Sequence, residues 1–439
     1  MSKDGLNLAK WAIDKALKCG ANQAAVAISN QRDIEVDFRD RKMEKLQEST
    51  QNSLALRIFV DKKYSRHSTC DMRKESLEKF IQDAVAMTRY LTPDEYRSLP
   101  DPKYYPQKTN IDLDINDKKY SAIETEDRVK IAAAIEQAAL AQSDKIITAS
   151  AGYSDTHYQV FRMHSNGFAG QTEGTAFSSY AQVTVNDPNG GRPSDWEGGD
   201  TRYYNELPPV EEIGKNAVQR ALSRIGQKKI ASGLYTMIVD NRVAARLLSM
   251  LTSAITGQAL QQKSTYLDGM LNKPIAADKL TVIEDPFIKR GASSRIYDGE
   301  GLAARKRTII EKGVLKEYLI DDYYGKKMGI APNSGSLSNV VFEYGAESQT
   351  SMIKSVKKGI IVNSFIGGNS NTTTGDFSFG IIGQLVENGE IIMPVNEMNI
   401  SGNGKEFWQK LTVMGNDPYP YSSVKIPTLL FEDVQFSGI

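Results

Sequence analysis

Long alternation of apolar and polar residues is the feature that most restricts how this chain folds. Ile34, Val36 and Phe38 alternate with charged neighbours, and the run from Leu54 to Val60 repeats the pattern. Because successive side chains of a β-strand point to opposite faces, this spacing predicts strands with one face against a core. We therefore expect a β-sheet in the first half of the chain.

Helical periodicity surrounds these strands. Apolar residues on one face of an N-terminal helix stop at Gly20, which is typical of a helix end. Further helices are predicted over 74–90, 125–142 and 210–224. Two strands, 146–153 and 158–164, are expected to extend the sheet, whereas the polar, glycine-rich run 186–200 is expected to interrupt it.

The second half is predicted to be mostly antiparallel sheet, because the turn dipeptides Lys312-Gly313 and Asn388-Gly389 lie between alternating runs. A helix from Val243 that ends at Gly257 is expected to pack on this sheet. The predicted fold class is therefore α+β in two domains. These are an N-terminal α/β sandwich-like domain, residues 1–225, and a C-terminal, mostly antiparallel β domain, residues 226–439.

Charge and hydropathy exclude several classes of function. The 54 basic and 54 acidic residues cancel, so no long-range field attracts nucleic acid or an anionic membrane. No apolar run reaches the roughly 18 residues that a membrane span needs. Charges interrupt every apolar run at the N-terminus, which is unlike a signal peptide. We therefore expect a cytoplasmic protein with neither nucleic-acid nor membrane partners.

Few residues are suited to metal binding or nucleophilic catalysis. His67, His157 and His164 are the three histidines, and the last two lie seven residues apart on predicted strand, which places them on opposite faces. Hydrogen-bonded or surface histidines are the favoured interpretation. Cys19 and Cys70 are too few for a disulfide framework. Neither a Gly-x-Ser-x-Gly elbow nor a phosphate-binding loop is present.

Two glycine-containing segments are compatible either with a simple turn or with a binding site. Gly367, Gly368 and Gly375 permit positive φ or close backbone approach, which suits a tight turn or a strand edge that accepts an extended peptide. The turn is favoured from the residues alone. The segment Asp298 to Gly301 carries two carboxylates, but a cation site needs more oxygen ligands, so a plain turn is expected.

Several short motifs, in one order over nearly the full length, resemble the TldD/PmbA family, historically described as modulators of DNA gyrase. The resemblance is to its PmbA, or TldE, branch. The motifs include Ser165-Asn166-Gly167-Phe168, Asp298-Gly299-Glu300-Gly301, Thr374-Gly375-Asp376-Phe377, Ile400-Ser401-Gly402-Asn403 and Met414-Gly415-Asn416-Asp417.

The resemblance implies a two-subunit zinc metallopeptidase in which the TldD-type subunit carries a His-Glu-x-x-x-His helix and a late Cys as metal ligands. Here Leu248, Ser249 and Ser253 stand near the corresponding positions, and no Cys follows Asp417. None of the family's metal ligands or catalytic residues can be carried over. The resemblance thus implies no cofactor in this chain, zinc in the partner, and a chain that is a poor peptidase alone.

The expected partners are a TldD-type zinc-bearing subunit, a second copy of this chain, or both, and the expected substrates are unfolded or short peptides. The candidate peptide-binding edge comprises Gly367, Gly368, Asn369, Gly375 and Asp376. One alternative is a homodimeric peptide-binding or regulatory protein without catalysis. An independent hydrolase is another, and its structural sign would be strongly perturbed carboxylates in a cleft.

Overall fold

Helices pack on three β-sheets in the computed structural model, which describes residues 2–107 and 111–439. The helices are α1 (Ser2–Lys18), α2 (Lys74–Thr88), α3 (Thr125–Leu140), α4 (Val210–Leu222), α5 (Ala245–Ala254), α6 (Gly257–Gln261), α7 (Asp322–Met328), α8 (Gln349–Ser355) and α9 (Gly404–Phe407). Short 3₁₀ turns occur at Pro102–Tyr104, Tyr120–Ala122, Tyr204–Glu206 and Trp408–Lys410. Within the described ranges, no helix has the length and apolar character needed to cross a membrane.

The strands of the first half are β1 (Gln23–Arg39), β2 (Lys42–Val60), β3 (Lys63–Thr69), β4 (Ile146–His164), β5 (Ala169–Val185) and β6 (Ser194–Thr201). Those of the second half are β7 (Gly233–Val239), β8 (Val282–Glu284), β9 (Arg307–Glu311), β10 (Val314–Leu315), β11 (Val340–Phe342), β12 (Lys358–Ser370), β13 (Asp376–Glu387), β14 (Glu390–Asn403), β15 (Leu411–Met414), β16 (Val424–Lys425) and β17 (Leu429–Ser437). The predicted α+β class is confirmed.

The first sheet is antiparallel throughout, in the order β3-β2-β1-β4-β5-β6. Two predictions about it were only partly right. β4 is one continuous strand where two were expected, because its polar middle, Ser154 to His157, pairs with β1 on one side and β5 on the other. The run 186–200 interrupts the strands only over residues 186–193, since the rest of it lies in β6, which adds to β5 as a further strand.

Helices α1 to α4 cover one face of this sheet. Ala12 and Ile81 pack on the even-numbered apolar residues of β1 and β2, such as Val26 and Leu56. Ala217 and other residues of α3 and α4 pack on β4 and β5. The opposite face therefore carries the odd-numbered side chains of β1 and β2, which meet residues of the second half of the chain.

The second half contains the sheets β14-β13-β12-β7-β17-β15 and β10-β9-β8-β11-β16. Their pairings are antiparallel except β12 with β7 and β11 with β16. Both sheets contribute to one large core, in which Trp408 is fully buried between Phe407 and Phe431. Helix α5 lies against this core, as its apolar spacing predicted.

The predicted end of that helix was wrong. α5 ends at Ala254, and Gly257 begins the next short helix, α6. Thr256 caps α6, because its hydroxyl accepts a 3.3 Å hydrogen bond from the backbone N–H of Ala259. A Cβ at position 257 would lie 3.1 Å from Cβ of Tyr324, so the glycine serves close packing instead of helix termination.

Candidate functional site

An open cleft of about 520 Å³ separates helices α5 and α6 from the far end of the β12–β13 hairpin. Its walls are polar and uncharged. The lining residues are Ser253, Thr256, Gln258, Ala259, Gln262 and Ser264 on the helix side, and Ser370, Asn371, Thr372 and Thr373 on the hairpin side. Of the three positions that resemble the metallopeptidase helix, only Ser253 lines this cleft.

The amphipathic character of α5 explains where the side chains of the other two positions, Leu248 and Ser249, lie. Leu248 is buried in the core with Leu247 and Leu251, so its side chain points away from the cleft. Ser249 is exposed and donates a 2.7 Å hydrogen bond to the carbonyl of Arg246. The exposed residues of α5 are therefore Arg246, whose guanidinium lies over the Phe379 ring, and Ser249 and Ser253, whose short side chains leave open space.

A network of side-chain hydrogen bonds shapes the turn at the end of the hairpin. The Asp376 carboxylate accepts from the hydroxyl of Thr374 at 2.7 Å and from the amide of Asn403 at 2.8 Å. These two donors hold the pKa of Asp376 below its usual range. Asn371 accepts from the backbone N–H of Thr373 at 2.9 Å. Asp376 therefore stabilises the turn.

The glycines of this hairpin adopt left-handed backbone conformations. Gly367 and Gly368 have φ of +62° and +90° and form a β-bulge, since the pairing with β13 shifts between Ile366 and Asn369. Gly375, with φ of +89°, closes the turn. Gly375 therefore lies in a turn, as favoured from the residues, whereas Gly367 and Gly368 lie within a strand.

One edge of β12 is unpaired next to the cleft. β12 pairs with β7 only from Gly359 to Val362, while its pairing with β13 continues to Ser370. Among the described residues, no strand therefore covers the other edge of β12 beyond Val362. Gly367, Gly368 and Asn369 lie on this exposed stretch. The five candidate edge residues thus divide into three on the strand and two, Gly375 and Asp376, at its turn.

Tyr266 connects the two walls of the cleft, and sequence reasoning did not single it out. Its backbone N–H donates to the carbonyl of Thr372 at 3.0 Å. Its ring packs where a Cβ at Gly375 would lie 3.2 Å from Cγ and a Cβ at Gly404 would lie 2.6 Å from the hydroxyl. Burial raises the pKa of Tyr266 to about 12. Glycine in the sequence indicated that another group packs closely against the backbone here, but it did not indicate that this group is Tyr266.

The cleft lining does not fit a zinc ion. Zinc in proteins is bound by thiolate, imidazole or carboxylate groups, and the lining offers hydroxyls and amides. Across residues 2–107 and 111–439, no three His, Cys, Asp or Glu side chains are grouped to hold a metal.

The three histidines lie on the first sheet and are hydrogen-bonded, as the sequence indicated. His157 contacts Glu173 at 2.9 Å, His67 contacts Ser65 at 2.8 Å, and His164 contacts Arg57 at 2.9 Å. His164 is buried in addition, with 3% of its surface exposed. They do not converge, because they occupy separate strands or opposite strand faces.

Three consecutive family models match the chain and define a protein of the metallopeptidase class. The PmbA/TldA metallopeptidase domain 1 matches residues 24–88, the central domain 118–225, and the C-terminal domain 232–438. The chain belongs to the PmbA/TldD metallopeptidase family, which confirms the resemblance. The first two matched segments share one sheet, and the division at residue 225 stays a prediction.

Similar proteins of known class include metalloproteases. The chain is 29% identical over 435 residues to metalloprotease PmbA of Escherichia coli O157:H7, covering 97% of this chain and 95% of that protein. A crystal structure from Bacteroides thetaiotaomicron, described as a modulator of DNA gyrase, is 40% identical with a TM-score of 0.96, covering 99% and 98% of the two chains. TldE from Thermococcus kodakarensis is 23% identical with a TM-score of 0.87, covering 98% and 100%, and shows the fold alone.

Proposed function

We propose that this chain is the PmbA/TldE-type subunit of a two-subunit zinc metallopeptidase that acts on unfolded or short peptides. In this proposal the chain binds peptide, and a TldD-type partner supplies the zinc. The observation that carries the proposal is the cleft itself. It places an unpaired strand edge beside a helix whose exposed positions bear serines where zinc ligands are expected.

Main-chain recognition supports the peptide part of this proposal. The edge of β12 beyond Val362 offers backbone N–H and C=O groups to an extended chain. Pairing of this kind depends little on the side chains of the added strand, so it suits varied or unfolded substrates. The hydroxyl and amide groups of Ser253, Gln258 and Gln262 can hydrogen-bond such a chain from the opposite wall.

The donor chemistry of the cleft supports the assignment of zinc to a partner. Hydroxyl and amide groups neither bind zinc firmly nor act as the general base for a bound water. What this chain supplies is position, because holding a peptide in an extended conformation reduces the entropy lost on reaching the reactive arrangement. The expectation of no cofactor in this chain stays a prediction.

The first test measures zinc content and peptide cleavage for this chain alone, for a TldD-type subunit from the same organism, and for their mixture. We expect no stoichiometric zinc and no cleavage by this chain alone, and cleavage by the mixture well above the sum of the two proteins. A mixture whose TldD-type subunit has lost its zinc to a chelator is the control.

Two outcomes would contradict the proposal. Stoichiometric zinc with cleavage by this chain alone would mean an independent peptidase. Peptide binding by a homodimer, with no gain in the mixture, would instead favour the alternative of a peptide-binding or regulatory protein without catalysis.

A further inference from the structure

A second cavity, of about 380 Å³, lies on the face of the first sheet that α1 to α4 leave uncovered. Its floor is formed by Ala25, Ala27 and Ala55, whose short side chains leave open space above the sheet. The loop containing Glu300 forms a wall from the second half of the chain. The cavity is thus built where the two halves of the chain meet, away from the cleft beside β12.

Strand register brings three arginines around this floor. Arg66, Arg57, Ala25 and His164 lie opposite one another across β3, β2, β1 and β4. Two residues further along β1, Ala27 lies opposite Arg162 of β4. Because residues two apart share a face, all three guanidinium groups are on the cavity side of the sheet.

These arginines have no carboxylate partner in the described ranges. No Asp or Glu oxygen there lies within 4.0 Å of a nitrogen of Arg57, Arg66 or Arg162. Glu300 lines the same cavity, but its carboxylate accepts a 3.0 Å hydrogen bond from the backbone N–H of Asp322. None of the three guanidinium groups is therefore neutralised by a direct ion pair, and Asp298 and Asp322 act on Arg162 and Arg57 only over a longer distance.

Arginines that are more deeply buried elsewhere in the protein are paired. Arg128 contacts Asp155 at 2.5 Å, Arg307 contacts Glu284 at 2.5 Å, and Arg242 contacts Glu197 at 3.6 Å. Arg57 and Arg162 are half-buried and Arg66 is exposed, so these three guanidinium groups stay accessible to solvent and to a ligand without a carboxylate partner.

His164 keeps its neutral form and fixes Arg57. A guanidinium group can only donate, so Nε2 of His164 accepts from Nη2 of Arg57 at 2.9 Å, and Nδ1 carries the ring proton. Nδ1 then donates to the hydroxyl of Tyr105 at 3.0 Å, which donates to Asn166 at 2.9 Å. Burial, with Arg57 and Arg162 nearby, lowers the pKa of His164 to about 3. This chain of hydrogen bonds orients the Arg57 guanidinium at the cavity.

We propose that this cavity binds the α-carboxylate of a short peptide or free amino acid, held by Arg57, Arg66 and Arg162. Guanidinium groups match the planar, two-oxygen geometry of a carboxylate. The cavity is larger than one carboxylate, and the free oxygen of Glu300 can accept a hydrogen bond from an amide or ammonium group of the same ligand. The inference does not depend on the proposed peptidase function.

The test measures binding to the intact chain by titration calorimetry with trialanine, its C-terminal amide, free alanine and inorganic phosphate. We expect trialanine to bind and the amide to bind at least about tenfold more weakly, since a charge-assisted pair is lost. Binding of free alanine as tightly as trialanine would identify an amino-acid site of the same chemistry. Equal binding of trialanine and its amide, or binding of phosphate alone, would overturn the proposal.

Two variants locate the binding. Arg162→Gln removes one guanidinium, and Ala27→Leu fills the floor without changing charge; each should weaken trialanine binding at least about tenfold. Arg39→Gln, on the same strand as Ala27 but paired with Glu44 at the surface, is the control and should bind normally. Unchanged affinity in a folded Ala27→Leu variant, checked by its unfolding transition, would overturn the proposal even if Arg162→Gln failed to fold.

Discussion

At the scale of single residues, one buried carboxylate links several side chains in the first half of the chain. Asp155 is 2% exposed and accepts from Arg128 at 2.5 Å, from Tyr120 at 2.7 Å and from Tyr153 at 2.8 Å. Burial and this negative neighbour raise the pKa of both tyrosines, which therefore stay protonated donors. The group joins α3 to β4 through polar contacts inside an apolar layer.

Asp155→Asn keeps the shape of this side chain and removes its charge. We expect a loss of about 3 kcal/mol in the free energy of unfolding, because Arg128 is left buried without a counter-ion. Urea unfolding at neutral pH measures it. Asp127→Asn, on the exposed surface of α3, is the control and should change the free energy of unfolding by less than about 0.5 kcal/mol. Equal effects would show that the buried pair is not what stabilises this layer.

Glu300 gives the protein a pH dependence of opposite sign to an ordinary salt-bridged carboxylate. Burial raises its pKa to about 7, with Asp298, Asp321 and Asp322 adding to the rise, against the backbone N–H of Asp322, which lowers it. Among these neighbours, the Asp322 carboxylate accepts a 2.6 Å hydrogen bond from the ammonium group of Lys326. Because the folded-state pKa lies above the unfolded value, the protonated form stabilises the fold below pH 4.5, and this contribution is lost as the pH rises through 7.

Glu300→Gln should remove that loss, because the amide stays neutral. Relative to the native chain, the variant should gain on the order of 3 kcal/mol in free energy of unfolding between pH 4.5 and pH 8. Urea unfolding at the two pH values measures the difference. A stability difference that is the same at both pH values would contradict the assigned pKa of Glu300.

At the scale of elements, alternation predicted the strands well where one face is buried and the other is not. It failed at Ser154 to His157 of β4 and at β6, where polar side chains sit in strands paired by long-range ladders. Helices α2, α3 and α4 begin at the predicted residues and end two residues before the predicted ends. The end of α5 was missed because Gly257 is required by Tyr324, which is distant in sequence.

Gly367→Gln tests the unpaired edge of β12. No atom lies within 4 Å of a Cβ at position 367, so the variant should fold, with only the cost of a left-handed backbone, about 1 kcal/mol. A bulky side chain there should weaken binding of an extended peptide several-fold. Fluorescence anisotropy with a labelled unstructured peptide measures the affinity.

Gly329→Gln is the matched control, because φ is +68° and the space is equally open at the end of α7. It should lose similar stability and keep peptide affinity. Gly368 is unsuitable, since a Cβ there would lie 2.2 Å from the carbonyl oxygen of Ser378 and disrupt the hairpin. Unchanged affinity in Gly367→Gln would exclude this edge as the peptide site.

At the scale of the whole molecule, the sequence predicted the fold class and pointed to the hairpin, but not to what the hairpin faces. Ser253 and Thr372 line the same cleft, and Tyr266, which follows α6, is hydrogen-bonded to the carbonyl of Thr372. Likewise, Arg57, Arg66 and Arg162 come from three strands, and only the register of the ladders places them on one cavity. Periodicity indicates which face a side chain occupies, whereas register depends on pairing between distant segments.

The bulge at Gly367 and Gly368 has a consequence for solubility. An unpaired strand edge that accepts a peptide is equally open to the edge of another molecule, which is a route to aggregation. The extra residue and the two left-handed glycines twist and bend the strand at this point. Long, flat pairing between two such edges is thereby disfavoured. The bulge therefore gives this exposed edge a structural protection against aggregation.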